Sequence, residues 1–183
     1  MRLSLRGRRS DDLPADVVAA LRDADGGKVL SAAPHADSRA WLVASVYELA
    51  LVDPGRSAGE ALLWSRPWHE VDAGSWSREA STLTVTWADR TRPAQWHLDD
   101  GMRERVFLQT LRERVQASVV LGEELSLSGR GTGRAVIRQN LRTGELLQQV
   151  VLGRGVREDD DEVAAVVART LGWLREQVGM PQP

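Results

Sequence analysis

What most constrains the fold of this chain is a change of hydrophobic period. From Lys28 to Leu98, short runs alternate apolar with polar residues, and Thr82-Leu83-Thr84-Val85-Thr86-Trp87 is the clearest of them. Side chains along a strand point alternately to opposite faces, so this run predicts a strand that buries Leu83, Val85 and Trp87 and shows three threonines to water. Six further runs are predicted: Lys28 to Ala33, Ala40 to Ser45, Glu48 to Asp53, Ala61 to Ser65, His69 to Trp76 and Pro93 to Leu98; the threonine run itself extends to Ala88. Between them lie Pro34-His35-Ala36-Asp37, Asp53-Pro54-Gly55 and Ala88-Asp89-Arg90, whose residues favour tight reversals. The expectation is an antiparallel meander of seven strands.

Helical periodicity flanks it. Leu13-Pro14-Ala15-Asp16 opens a short helix with Val17, Val18 and Leu21 on one face, ending at Asp25-Gly26-Gly27. After Asp99-Asp100-Gly101, the spacing of Met102, Val106, Leu111, Val115 and Val119 predicts a long amphipathic helix from Met102 to Leu121. Three more strands follow, Glu124 to Ser128, Arg134 to Asn140 and Leu146 to Leu152. The last helix starts at Asp159-Asp160-Asp161-Glu162, where acidic groups suit the positive end of the helix dipole, and stops at Gly179 and Pro181. The chain thus reads as α+β, with a flexible basic arm (1–12), a first domain (13–121) and a small β-β-β-α unit packed on it (122–180).

Composition excludes several classes. A chain of 183 residues with 42% hydrophobic and 27% charged residues can build one good core or two small ones. No apolar run approaches the roughly 20 residues that cross a bilayer, and no apolar stretch follows Arg2, Arg6, Arg8 and Arg9, so a cytoplasmic protein is expected. The absence of cysteine removes disulfides, thiolate metal sites and a cysteine nucleophile together. Lys28 is the one lysine among 24 basic residues, which reflects a GC-rich genome, and a net charge of −2 argues against nucleic acid as a partner.

Seven strands followed by one amphipathic helix resemble the pleckstrin-homology-like fold, a seven-stranded antiparallel barrel closed at one end by a C-terminal helix. Trp41-Leu42-Val43-Ala44-Ser45, Leu49-Ala50-Leu51-Val52 and Arg112-Glu113-Arg114-Val115-Gln116-Ala117-Ser118-Val119-Val120 resemble a family of actinobacterial proteins without an assigned activity. The resemblance implies a scaffold that elsewhere binds peptides, lipids or proteins. Phosphoinositide binding is disfavoured: Lys28 and Arg39 could fill the early places of the basic pattern found in many members of that fold, but Trp41 occupies the decisive one. The helix-strand-strand-strand-helix order from Met102 onward also resembles a double-stranded RNA-binding module, whose basic helix start is replaced here by aspartates.

Candidate site residues are few. Six of the seven tryptophans lie between Trp41 and Trp96, and Trp64, Arg66, Trp68 and Trp76 could form an aromatic and cationic partner surface, with a filled core as the alternative. Gly129-Arg130-Gly131-Thr132-Gly133-Arg134 has the glycine spacing of an anion loop, with Arg130 and Arg134 supplying charge; lying between strands, it reads better as a hairpin. His35, His69 and His97 lack the short spacing of a metal site, and no catalytic residue, metal or cofactor is assigned. The expectation is a non-catalytic module for an unidentified protein or peptide; the alternative is a small-molecule or anion-binding protein, or an enzyme of unrecognised type. Homo-oligomer formation through the strand edges between Glu124 and Leu152 stays open.

Overall fold

The computed structural model describes residues 13–21, 26–57, 59–127, 129 and 131–181. The expected basic arm, 1–12, lies outside the described residues, as do Asp25 and Arg130. After helix α1 (Ala15–Ala20), strands β1 (Val29–Pro34), β2 (Trp41–Ser45), β3 (Glu48–Val52) and β4 (Leu62–Pro67) form one antiparallel sheet in that order. A 3-10 turn, Trp68–Glu70, leads into β5 (Val71–Ser77), β6 (Thr82–Trp87) and β7 (Ala94–His97), a second antiparallel sheet. Helix α2 (Met102–Ser118) follows, then β8 (Val119–Glu124), β9 (Gly133–Gln139) and β10 (Leu146–Leu152), which pair in the order β10-β9-β8, and finally α3 (Asp161–Val178).

The seven expected strands are all present, but they do not close into a barrel. Among the described residues no ladder joins β4 to β5 or β1 to β7, so the strands remain two sheets of four and three. Pro67 ends β4 and the 3-10 turn redirects the chain before β5 begins, while backbone contact at the opposite corner is reduced to Ala36 N–H on the His97 carbonyl at 2.9 Å.

Burial explains why these strands look different in sequence. The four-stranded sheet is covered on both faces: Leu42, Ala44 and Leu49 join Trp68, Val71, Leu83, Val85, Phe107 and Leu111 in the main core, whereas Val43 and Val52 pack outward with Val17 and Ala20 of α1. Two buried faces require nearly continuous apolar runs, as in Trp41–Ser45 and Glu48–Val52. In β6 one face is half-buried threonine, so the alternation is clean. Each large apolar side chain taken fully out of water contributes about 1.5–3 kcal/mol, and Trp68 and Phe107 are among the fully buried ones.

The C-terminal group is layered. Ala135 and Ile137 of β9 pack with Leu125, Leu127, Leu152, Val163 and Leu174 in a separate cluster beneath α3. Arg134 and Arg138, at the alternate positions, reach toward the first seven strands. Two boundaries depart from expectation: β5 begins at Val71 and not at His69, because Trp68–Glu70 form a 3-10 turn, and α2 stops at Ser118 with β8 occupying Val119–Glu124, in place of a helix to Leu121 and a strand from Glu124 to Ser128. Val119 and Val120 suit a strand better than a helix, and the Ser118 hydroxyl donates back to the Val115 carbonyl at 2.7 Å, competing with continued helix. Ser128 lies outside the described residues.

Candidate functional site

The tryptophan-rich segment does not make a single surface. Trp68 is fully buried, with its indole N–H donating to the Ser45 carbonyl at 2.9 Å, so it serves the core and presents nothing to a partner. Trp64 meets Trp87 edge-on at 5.6 Å and Trp96 at 5.8 Å. Arg66 lies 4.6 Å over the Trp87 ring and pairs with Asp89 at 2.8 Å. Its charge is therefore engaged within the chain. Asp89 also accepts from the Thr91 hydroxyl at 2.7 Å and its N–H at 3.0 Å, and these bonds, with Arg66, lower its pKa to about 2. Trp76 stands apart on β5, half-buried, aligned through Leu83 with Trp96 on the inner face of the second sheet.

The glycine loop connects β8 to β9 and opens no helix, and Arg134 is held by the Asp72 carboxylate of β5. That pairing uses the charge an anion would need. His97 Nδ1 lies 2.7 Å from the Asp37 carboxylate, and its ring centre is 6.4 Å from that of His35. This exposed group ties the turn between β1 and β2 to β7. Among the described residues no three His, Asp or Glu side chains converge as a metal site.

The feature with the geometry to hold a ligand lies along β5. β5 is one edge of its sheet, paired with β6 alone among the described residues, and it lies beside α2. Between them is a cleft of about 410 Å³ whose wall carries Leu108, Leu111 and Val115 of α2, with Leu83 and Trp76 from the sheet. Gly74 brings the two elements together: a Cβ there would stand 2.6 Å from Leu111 Cδ2, closer than packing allows. Arg112 and Gln116 are exposed on the helix side.

The start of β5 is tied to the end of α2 by a residue that sequence reasoning missed. Arg138 of β9 is 2% exposed and donates to the Val71 carbonyl at 2.6 Å, the Val115 carbonyl at 3.2 Å and the Ser118 hydroxyl at 2.6 Å. Burial lowers its pKa, with nearby Asp72 opposing and Arg134 adding to the shift. Val115 and Ser118 lie in the last turn of α2, where carbonyls lack helical partners and a cation is favoured. Arg138 thus fastens the start of β5 to the end of α2 and leaves the edge open from Ala73 onward. The available signal was a charge directly after the apolar run Ala135-Val136-Ile137. Gln149 of β10 adds a second tie, its amide donating to the His69 carbonyl at 2.7 Å. No family model matches the chain, and no match was found among curated proteins or solved structures.

Proposed function

We propose that the chain is a non-catalytic interaction module that takes an extended segment of a protein or peptide partner along Ala73–Ser77, in the cleft against α2. The carrying observation is an unpaired strand edge beside an apolar wall. A free edge supplies main-chain donors and acceptors to any extended peptide, and pockets for alternate side chains supply selectivity. Leu108, Leu111 and Val115 would receive an apolar side chain of the added strand, with Trp76 beside it. The pleckstrin-homology-like reading rests on two antiparallel sheets, of four and three strands, followed by a helix after the seventh strand.

Selecting a displayed random-peptide library on the full chain tests this. Enriched peptides should perturb the backbone amide signals of Ala73 to Ser77 and of α2 from Leu108 to Gln116, and Gln116→Trp, an exposed position on the cleft wall, should abolish binding without loss of stability. A library that yields no binder, or binders that map elsewhere and tolerate the Gln116 change, would sink the reading.

A further inference from the structure

We propose that a second cleft, between α3 and β10, binds a carboxylate carrying an apolar chain, with a medium-chain fatty acid as the simplest member of the class. This site is separate from the β5 cleft and does not rest on peptide binding. Its origin is architectural. The single helix α3 packs on β9 and β8, so the edge strand β10 keeps an uncovered strip on the same face. That strip is a cleft of about 390 Å³, with Val150 and Leu152 contributed by β10 and Val163, Val167 and Leu171 by α3. The exposed Ala164 and Ala168 also line it and leave room at its mouth.

Its two ends differ in charge. Glu158 precedes the first turn of α3 and Arg175 sits in the last, about 21 Å along the helix from its first residue, Asp161, at 1.5 Å per residue. Arg175 carries the observation that points to a ligand: its Nε–H is buried with no acceptor among the described residues, and its Nη1 makes only a long bond, 3.3 Å, to Gln148. Buried donors are almost always satisfied, and a guanidinium presents adjacent N–H groups that match the two oxygens of a carboxylate. An apolar chain entering the cleft would place its carboxylate at Arg175 and extend toward the Glu158 end, where negative charge disfavours the reverse orientation.

The test is a titration of the full, ¹⁵N-labelled chain with octanoate, octanol and octylamine, following the Arg175 Nε–H and the amides of Ala164 and Ala168. Octanoate should shift the Arg175 signal and bind at least about tenfold more tightly than octanol, as a charge-assisted hydrogen bond requires; octylamine should bind no better than octanol. Arg175→Gln should reduce octanoate to the level of octanol, and Ala168→Phe, which fills the mouth from an exposed position, should remove both. Equal binding of octanoate and octanol, an unmoved Arg175 signal, or octanoate binding that survives either substitution overturns the proposal. Should Arg175→Gln fail to fold, the Ala168 variant and the Arg175 signal still decide it.

Discussion

His69 and Arg138 both lie where β9 and β10 reach the 3-10 turn and the start of β5, and burial sets the chemistry of both. His69 is 9% exposed and its Nδ1 is buried with no hydrogen-bond partner among the described residues. Its pKa is lowered from 6.5, chiefly by burial; Arg138 adds to the shift, while Glu70 and Glu145 oppose it. As pH falls below 6.5 the unfolded chain takes up a proton that the folded chain refuses until lower pH, so stability declines across that interval. Above 6.5 both states are neutral at this site and it contributes no pH dependence. Urea midpoints measured between pH 7 and pH 5 should therefore fall less steeply in His69→Gln than in the parent chain; parallel curves would show that the histidine titrates alike in both states. In the sequence, His69 showed only that it lacks the short spacing of a metal site. The sequence marked Arg138 only as a charge next to an apolar run and could not assign its partners, because Val71, Val115 and Ser118 offer backbone and hydroxyl groups brought together only by packing.

Elements were legible wherever period and punctuation agreed. β6 was readable because one face is buried and the other is threonine, and α3 because both ends are written in the sequence. Asp160 caps its start, accepting from Glu162 N–H at 3.0 Å and Val163 N–H at 3.3 Å, and Gly179 ends it at φ 69° with Met180 N–H turned back to the Arg175 carbonyl at 3.0 Å. Asp160→Ala should cost about 1 kcal/mol, the usual value of such a cap, measured by urea unfolding; a change of only a few tenths would mean that the acidic run supplies a substitute cap. The end of α2 was illegible for the opposite reason. Val115 and Val119 keep helical spacing across a boundary that Ser118 and two β-branched valines create, and spacing alone does not register a helix that passes directly into a strand. The β5 cleft was equally hidden: Trp76 was recognised as a candidate, but the helical residues opposite it lie more than thirty positions onward.

At the scale of the whole molecule, the sheet of β8, β9 and β10 is held on one face by α3 through an apolar cluster and on the other by a small set of polar ties. These two attachments differ in kind. Apolar burial tolerates adjustment, whereas a buried guanidinium satisfied by two carbonyls and a hydroxyl has one good position, and removing it leaves acceptors dry at about 1–3 kcal/mol each. The junction should therefore make the N-terminal strands and the C-terminal group unfold together, despite their separate cores. Calorimetry of the parent chain should give a single transition whose calorimetric and van't Hoff enthalpies agree. Arg138→Met retains most of the volume while deleting the donors; it should lower stability by about 3 kcal/mol and separate the transition into two, with the smaller, C-terminal group melting first. Two transitions in the parent chain would instead make the groups independent domains, and an Arg138→Met variant that still melts as one unit would transfer the coupling to the apolar contacts around α2. The same variant bears on the peptide cleft, because Arg138 ties the start of β5 to the end of α2: a loosened junction should weaken peptide binding even at temperatures where the first seven strands remain folded.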